Sequence, residues 1–303
     1  MQARSALFDL YGDYLRSRGG RAPVSALVRL LSPLGIAAPA VRTAVSRMVR
    51  QGWLHPLRLA AGPGYLLTPR AARRLDEAAA RIYRTGKIGW DGRFDLIVLE
   101  TGTNRRDRQR LAANLSYLGY GMLDEATWVA TRPGEDVDAL LTEAGVRYER
   151  FTAAHTAGTP GAMGVVRRAW DLDEIANAYQ EFVAAQRPLL ASVTVRSCDE
   201  DAYAARFGLV HAWRNFLFRD PQLPPALLPE RWPGTSAAAF FDRHAARLRP
   251  AADRFVEHCL DGSARVAGST RTAVPARTAG SAPTAGTAPT AGFVPTARQK
   301  GQP

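Results

Sequence analysis

Apolar residues recur at helical spacing through the first fifty positions, and the pattern then changes. Leu7, Leu10, Tyr11, Tyr14 and Leu15 share one face over 5–18, which Gly19 and Gly20 end. Leu27, Leu30, Leu31 and Leu34 predict a second helix over 24–34, opened by Pro23 and broken at Gly35. In a third, over 39–51, Val41, Ala44, Val45 and Met48 fall at i, i+3, i+4 and i+7 and must face a core. Pro39 suits its first turn, but Ala37 and Ala38 stand where a hydroxyl or Asp cap is usual. The helical period then gives way to two short apolar runs in "WLHPLRLAAGPGYLLTP" (53–69). Gly62-Pro63-Gly64 between them predicts a β-hairpin, and an Arg-rich helix over 70–83 follows. Three helices and a hairpin predict a winged helix-turn-helix over 1–88.

A second block alternates differently. "RFDLIVLE" (93–100) reads as a strand, 105–118 as a helix, 120–131 as a hairpin turning at Asp124-Glu125, 137–144 as a helix and 146–152 as a strand. This β-α-β-β-α-β order predicts a ferredoxin-like domain over 89–164, with 155–164 a loose connection. From Trp170 the period is helical again, with Leu172, Ile175, Tyr179 and Phe182 as one stripe and three acids in the first turn. Helices over 199–219 and 237–260, separated by a proline-rich stretch, complete a C-terminal helical domain over 165–262. The expected fold class is therefore α+β and multidomain. Residues 263–303 repeat Ala, Pro, Thr and Gly, which bury too little apolar surface to offset ordering, so a disordered tail is expected there.

Composition sharpens this picture mainly through charge. The 303-residue chain carries +12, but residues 1–88 hold +11 and residues 263–303 hold +5, leaving the middle at −4. A basic small domain on a mildly acidic body predicts a polyanion-binding module on a carrier. The cations are almost all arginine, with Lys87 and Lys300 the two lysines. Cys198 and Cys259 form no C-x-x-C pair, the N-terminus lacks the apolar core of a signal peptide, and no apolar run reaches the ~18 residues of a membrane span. A cytoplasmic location without membrane or structural zinc is expected.

The candidate chemistry lies on the third helix. With its apolar stripe inward, Arg42, Thr43, Ser46, Arg47 and Arg50 project outward. A helix entering the major groove needs short hydroxyls for close approach and Arg for guanine edges and phosphates. A solvated face is the ordinary fate of such a stripe; the preceding helices, the wing and the +11 charge favour duplex DNA. At the hairpin, His55, Arg58 and Tyr65 are placed to reach backbone or minor groove, while Tyr65 is equally suited to pack on Trp53. Asp95 and Glu100 lie on the first ferredoxin-like strand, where small nucleases of that fold hold Mg²⁺. A metal-dependent nuclease is thus the alternative function, though no second carboxylate cluster accompanies them. The five histidines show no paired-ligand spacing, and nucleophile-elbow, P-loop and dinucleotide motifs are missing, so no enzymatic activity and no resident cofactor are expected. "HAWRNFLFRDPQLPPALLP" (211–229) concentrates aromatics and arginines; most are core, but Trp213, Arg214 and Arg219 are candidate contacts for an aromatic acid or anionic effector.

"LFDLYGDYLRSRGG", "AVRTAVSRMVRQGWL", "YLLTPRAARRL", "WDGRFDLIVLE", "RAWDL" and "FLFRDPQLPPALLP", in this order, resemble the PaaX-type phenylacetate-pathway repressors over roughly residues 4–260. The resemblance implies a winged-helix domain, a central ferredoxin-like domain akin to a CRISPR-associated nuclease fold, and a C-terminal helical domain. It also implies a homodimeric repressor of aromatic-acid catabolic genes on double-stranded operator DNA, released by phenylacetyl-coenzyme A or a related acyl-coenzyme A. Carried over by position, the recognition helix is 39–51. Two departures stand out: the missing hydroxyl cap before that helix, and Ala226 where an acid is expected.

Overall fold

A computed structural model of the chain describes residues 1–84, 89–100, 105–134, 136–156 and 161–269. Helix α1 (Ala3–Leu10) continues through one wide π-helical turn, Tyr11–Leu15, and a tight 3₁₀ turn, Arg16–Arg18, before Gly19 ends it in the left-handed region. The helix expected over 5–18 is present, with its middle turn unwound by one residue. Helix α2 (Val24–Leu31) and α3 (Ala38–Arg50) follow, and Ala37 makes no side-chain cap bond.

A three-stranded antiparallel sheet runs in the order β1 (Arg21–Pro23), β3 (Gly62–Leu67), β2 (Leu54–Leu59). Strand β1 is new relative to the sequence pattern, because three residues cannot display an alternation and its partner is the remote Leu66. Gly64 on the central strand permits this packing: a Cβ there would lie 2.5 Å from Leu59 Cδ1 and 2.9 Å from the Ala22 carbonyl oxygen. Thr68 then caps α4 (Pro69–Ile82). Its hydroxyl accepts from the Ala71 N–H at 3.1 Å and donates to the Gly52 carbonyl at 2.9 Å, tying α4 to the turn that ends α3.

The middle of the chain comprises β4 (Arg93–Leu99), α5 (Arg105–Tyr117), β5 (Gly121–Met122), β6 (Thr127–Ala130), α6 (Val137–Glu143) and β7 (Tyr148–Ala154). All pairings are antiparallel in the order β5-β6-β4-β7, the ferredoxin-like arrangement expected. Its hairpin turns where the alternation stops, with the Asp124 carboxylate accepting the Ala126 and Thr127 N–H groups at 3.0 and 2.9 Å. Ile97, Leu111, Leu115, Trp128 and Leu141 fill the space under α5 and α6, while Phe94 and Val129 on the opposite face join the C-terminal core.

The C-terminal helices are α7 (Ala162–Ala169), α8 (Leu172–Ala191), α9 (Asp199–Trp213) and α10 (Pro233–Ser269). Helix α7 begins inside the connection expected to be loose, and buries Val166. Asp171 caps α8 by accepting the Glu174 N–H at 2.8 Å. Helix α10 continues past 260 to Ser269, so the first residues of the tail expected from 263 are helical; residues 270–303 lie outside the described residues. No helix among the described residues is long and apolar enough to cross a membrane.

The N-terminal core does not close on itself. Leu7, Leu10, Tyr11, Leu27, Val41 and Met48 share one buried cluster with Tyr203 and Phe207 of α9 and Ala252, Val256 and Cys259 of α10. Beside it lies a polar seam. Arg206, 2% exposed, is paired with Asp13 and donates to Tyr14 Oη at 2.9 Å and the Ala245 carbonyl at 3.1 Å. Burial opposes the Arg206 charge, but the adjoining Asp13 carboxylate more than offsets it and raises the guanidinium pKa above its ordinary range. Asp9, also buried, is paired with Arg214 and lies 2.6 Å from His211 Nδ1; Arg214 also donates to Ser5 Oγ at 3.0 Å.

Candidate nucleic-acid interface and ligand cavities

Helix α3 buries Val41, Ala44, Val45 and Met48 and exposes Arg42, Thr43, Ser46, Arg47 and Arg50. The buried set anchors the helix, so the exposed set forms a continuous ridge on the outside of the N-terminal unit. Among the described residues, Arg42, Arg47 and Arg50 have no ion-pair or hydrogen-bond partner within the chain. With Ala37 as cap and no acid in the first turn, no carboxylate dilutes the ridge at its N-terminal end. Guanidinium groups held this way gain most of their energy from an external anion.

The sheet lies directly after this ridge. His55 and Arg58 are exposed on β2, whereas Tyr65 on β3 is half-buried against the N-terminal core. Its carbonyl accepts the Tyr11 hydroxyl at 3.2 Å. The Trp53 ring meets Phe8 edge-on at 5.0 Å.

The two acids of the first ferredoxin-like strand are both neutralised by arginine. Asp95 is buried, accepts the Tyr120 hydroxyl and pairs with Arg150 at 3.0 Å, which also reaches Asp138 at 2.5 Å. Burial, then the bond to Asp95, pushes the Tyr120 phenol above its ordinary pKa. Glu100 is exposed and paired with Arg147 at 3.1 Å. Among the described residues no group of three His, Cys, Asp or Glu side chains is placed to hold a metal ion. The two acids that the nuclease alternative would use are thus both engaged by arginine.

Trp213, Arg214 and Arg219 are not brought together. Trp213 is buried, stacks on Phe241 at 4.8 Å, donates its indole N–H to the Ile82 carbonyl at 3.2 Å and lies under the Arg84 guanidinium. It lines a cavity of about 420 Å³ that also holds Tyr179, Phe216 and Asp220. Burial pushes the Asp220 carboxyl above its ordinary range, although it accepts the Tyr179 hydroxyl and the Gln222 N–H. Arg214 instead faces a second cavity, of about 350 Å³, and is tied to Asp9. Arg219 is exposed. The three candidate contacts thus lie apart, as a core aromatic, an ion pair between units and a solvent-exposed guanidinium. Arg206, Asp13 and Asp9 were not singled out by the sequence; the signal present was two acids, at i and i+4, set beside the apolar stripe of the first helix.

Comparison with known proteins places these features in one lineage. Residues 2–71 match the family described as PaaX-like protein, residues 87–163 the PaaX protein central Cas2-like domain, and residues 170–258 the PaaX-like protein C-terminal domain. The Transcriptional repressor PaaX of Escherichia coli (strain K12) is 32% identical over 264 residues, covering 83% of this chain and 82% of that protein. The solved structure of the uncharacterized protein Rv0674 from Mycobacterium tuberculosis is similar with a TM-score of 0.53 and 25% identity, over 84% of this chain and 98% of that one. With all three domain types matched in order and a relative of this identity aligned along most of its length, the chain belongs to the PaaX family.

Proposed function

We propose that this chain is a sequence-specific DNA-binding transcriptional repressor whose N-terminal unit is a winged helix-turn-helix, with α3 as the recognition helix. The observation that carries the reading is the α3 ridge: Arg42, Thr43, Ser46, Arg47 and Arg50 exposed together above a buried anchor, in a region of charge +11. The similarity to a protein named a transcriptional repressor supports it. In this reading α3 lies in the major groove. Its Thr and Ser hydroxyls allow close approach, its arginines reach guanine edges and phosphates, and Arg58 with His55 on the wing meets the adjoining backbone. Half-buried Tyr65 serves the wing through packing and offers only its exposed edge.

The protein acts in the cytoplasm as a homodimer, with two α3 helices reading half-sites about 34–36 Å apart or a multiple of that. Val98 and Phe151, exposed on the sheet face opposite α5 and α6, form a face that a second copy would cover. The regulated genes are those of aromatic-acid catabolism, and an aryl-acyl-coenzyme A that prefers the DNA-free arrangement releases the operator by differential affinity. A gel shift of the full chain on its own upstream DNA tests the core of this reading. Specific binding that falls steeply with salt and is weakened by Arg47→Ala is expected; binding unchanged by that substitution removes α3 from the role.

A further inference from the structure

The 350 Å³ cavity lies where all three units meet. Phe8 and Trp53 come from the N-terminal unit, Arg74 from α4, Tyr117 from α5, and Arg214 and Phe218 from the end of α9 and beyond. Three observations mark it as more than a packing seam. Its lip is aromatic and open: the Phe218 ring is 58% exposed yet held against Tyr117 at 5.3 Å. An exposed large aromatic of this kind, with a second ring beside it, is a ready stacking surface for a third.

The cavity is also electrically biased. Helix α4 lays the Arg74 guanidinium 4.8 Å from the Tyr117 ring centre, and one turn earlier Arg70 lies 5.9 Å from that of Trp53. The acids lining the cavity are already matched, Asp9 by Arg214 and His211 and Asp13 by Arg206. Arg74 has Glu77 at 3.7 Å, a loose i, i+3 pair of two solvent-exposed side chains that water screens. The positive charge left facing the opening is therefore that of Arg74.

The third observation is mechanical. Trp53 follows α3 by one turn, and its backbone N–H donates to the Met48 carbonyl at 2.9 Å. Its ring forms part of the cavity wall against Phe8. A body inserted there presses on the residue that fixes the C-terminal end of α3, and on the Asp9–Arg214 pair that joins α1 to the C-terminal helices.

We propose that this three-unit cleft is a ligand site for a planar aromatic group carrying an anionic tail, and that its occupancy is transmitted to α3 through Trp53. The aromatic ring enters between Trp53, Tyr117 and Phe218, and the negative charge lies toward Arg74. The volume is at the low end for small-molecule sites, so a ring fits inside and a bulky tail stays at the opening. The binding half stands on the cleft alone; the transmission half rests on the reading of α3 as the DNA-contacting element.

Calorimetry of the full-length chain with phenylacetate, phenylacetyl-coenzyme A and coenzyme A alone separates the sources of such a ligand. Binding of one or both aryl probes, with coenzyme A alone much weaker, is the expected result. Ala113→Phe, which fills the cleft from an exposed position on α5, and Phe218→Ala are each expected to weaken it about tenfold. Melting curves establish that both variants are folded. No heat from either aryl probe, coenzyme A binding as tightly as its aryl thioester, or unchanged affinity in both variants overturns the site. Titrating the bound aryl probe into a complex of the chain with its labelled upstream DNA tests transmission: release supports it, and an unchanged complex overturns it. A chain that binds no DNA refutes the proposed function, and with it transmission, while the calorimetry still decides the cleft.

Discussion

Two sets of arginines in this molecule have opposite fates. On α3, Arg42, Arg47 and Arg50 are exposed and, among the described residues, lack partners. On and just after α9, Arg206 and Arg214 are held by Asp13 and Asp9 of α1 and its wide turn, and Arg206 is almost fully buried. The residue type is the same, and the surroundings decide its use. A guanidinium out of water is costly unless a carboxylate and further acceptors surround it, and Arg206 has Asp13, two tyrosine hydroxyls and a backbone carbonyl. A guanidinium left in water with no internal acid is free to neutralise something from outside. The buried set joins units of the protein; the exposed set is available to an external polyanion.

The contrast can be broken at either end. The largest effect is expected inside: Arg206→Met leaves Asp13 buried without its main partner and is expected to cost about 3–5 kcal/mol in urea unfolding, with Asp13→Leu added to it recovering much of the loss. If the single variant is as stable as the parent, the seam is not what joins the units. Next comes the outside set. Arg47→Ala is expected to weaken specific DNA binding by about 1–3 kcal/mol and to lower the salt slope by about one, with the melting temperature unchanged. A fall in melting temperature comparable to that of Arg206→Met would show that the ridge is structural after all. Thr68→Ala, which removes the α4 cap and the bond to Gly52, is expected to cost about 1 kcal/mol and to blunt DNA binding by loosening the end of α3. The smallest effect is electrostatic. The Asp220 carboxyl is raised by burial, so the folded chain holds that proton more tightly than the unfolded one. Stability is then fullest below the ordinary carboxylate range and declines as pH rises through the raised value. Asp220→Asn should flatten that decline in a pH series of melts.

The two sets were unequally legible in the sequence. The α3 ridge could be read directly because inside and outside positions repeat within four residues, and one period fixes both. The same local logic gave the hairpin from Gly62-Pro63-Gly64 and the ferredoxin-like order. The seam could not be read that way. Asp13 and Arg206 meet across most of the chain, and each looks like the polar side of its own helix. Arg214 stands among aromatics in the sequence, and no local pattern reveals that Asp9, some two hundred residues earlier, holds it. Strand β1 and helix α7 escaped for a related reason: one is too short to alternate and the other interrupts a stretch with few periodic positions. The junction cleft was invisible for the strongest version of the same cause, since its walls come from three separate parts of the sequence.

The shared N-terminal core has a consequence for engineering. Because Tyr203, Phe207, Ala252 and Val256 complete the packing around α1, α2 and α3, the first eighty-odd residues are not a cartridge to be transplanted onto another regulator. A hybrid built by swapping only that stretch would trade a sealed interior for a raw apolar flank, so the unit is better varied at the five outward side chains of α3, which leave the interior untouched, than at a splice point.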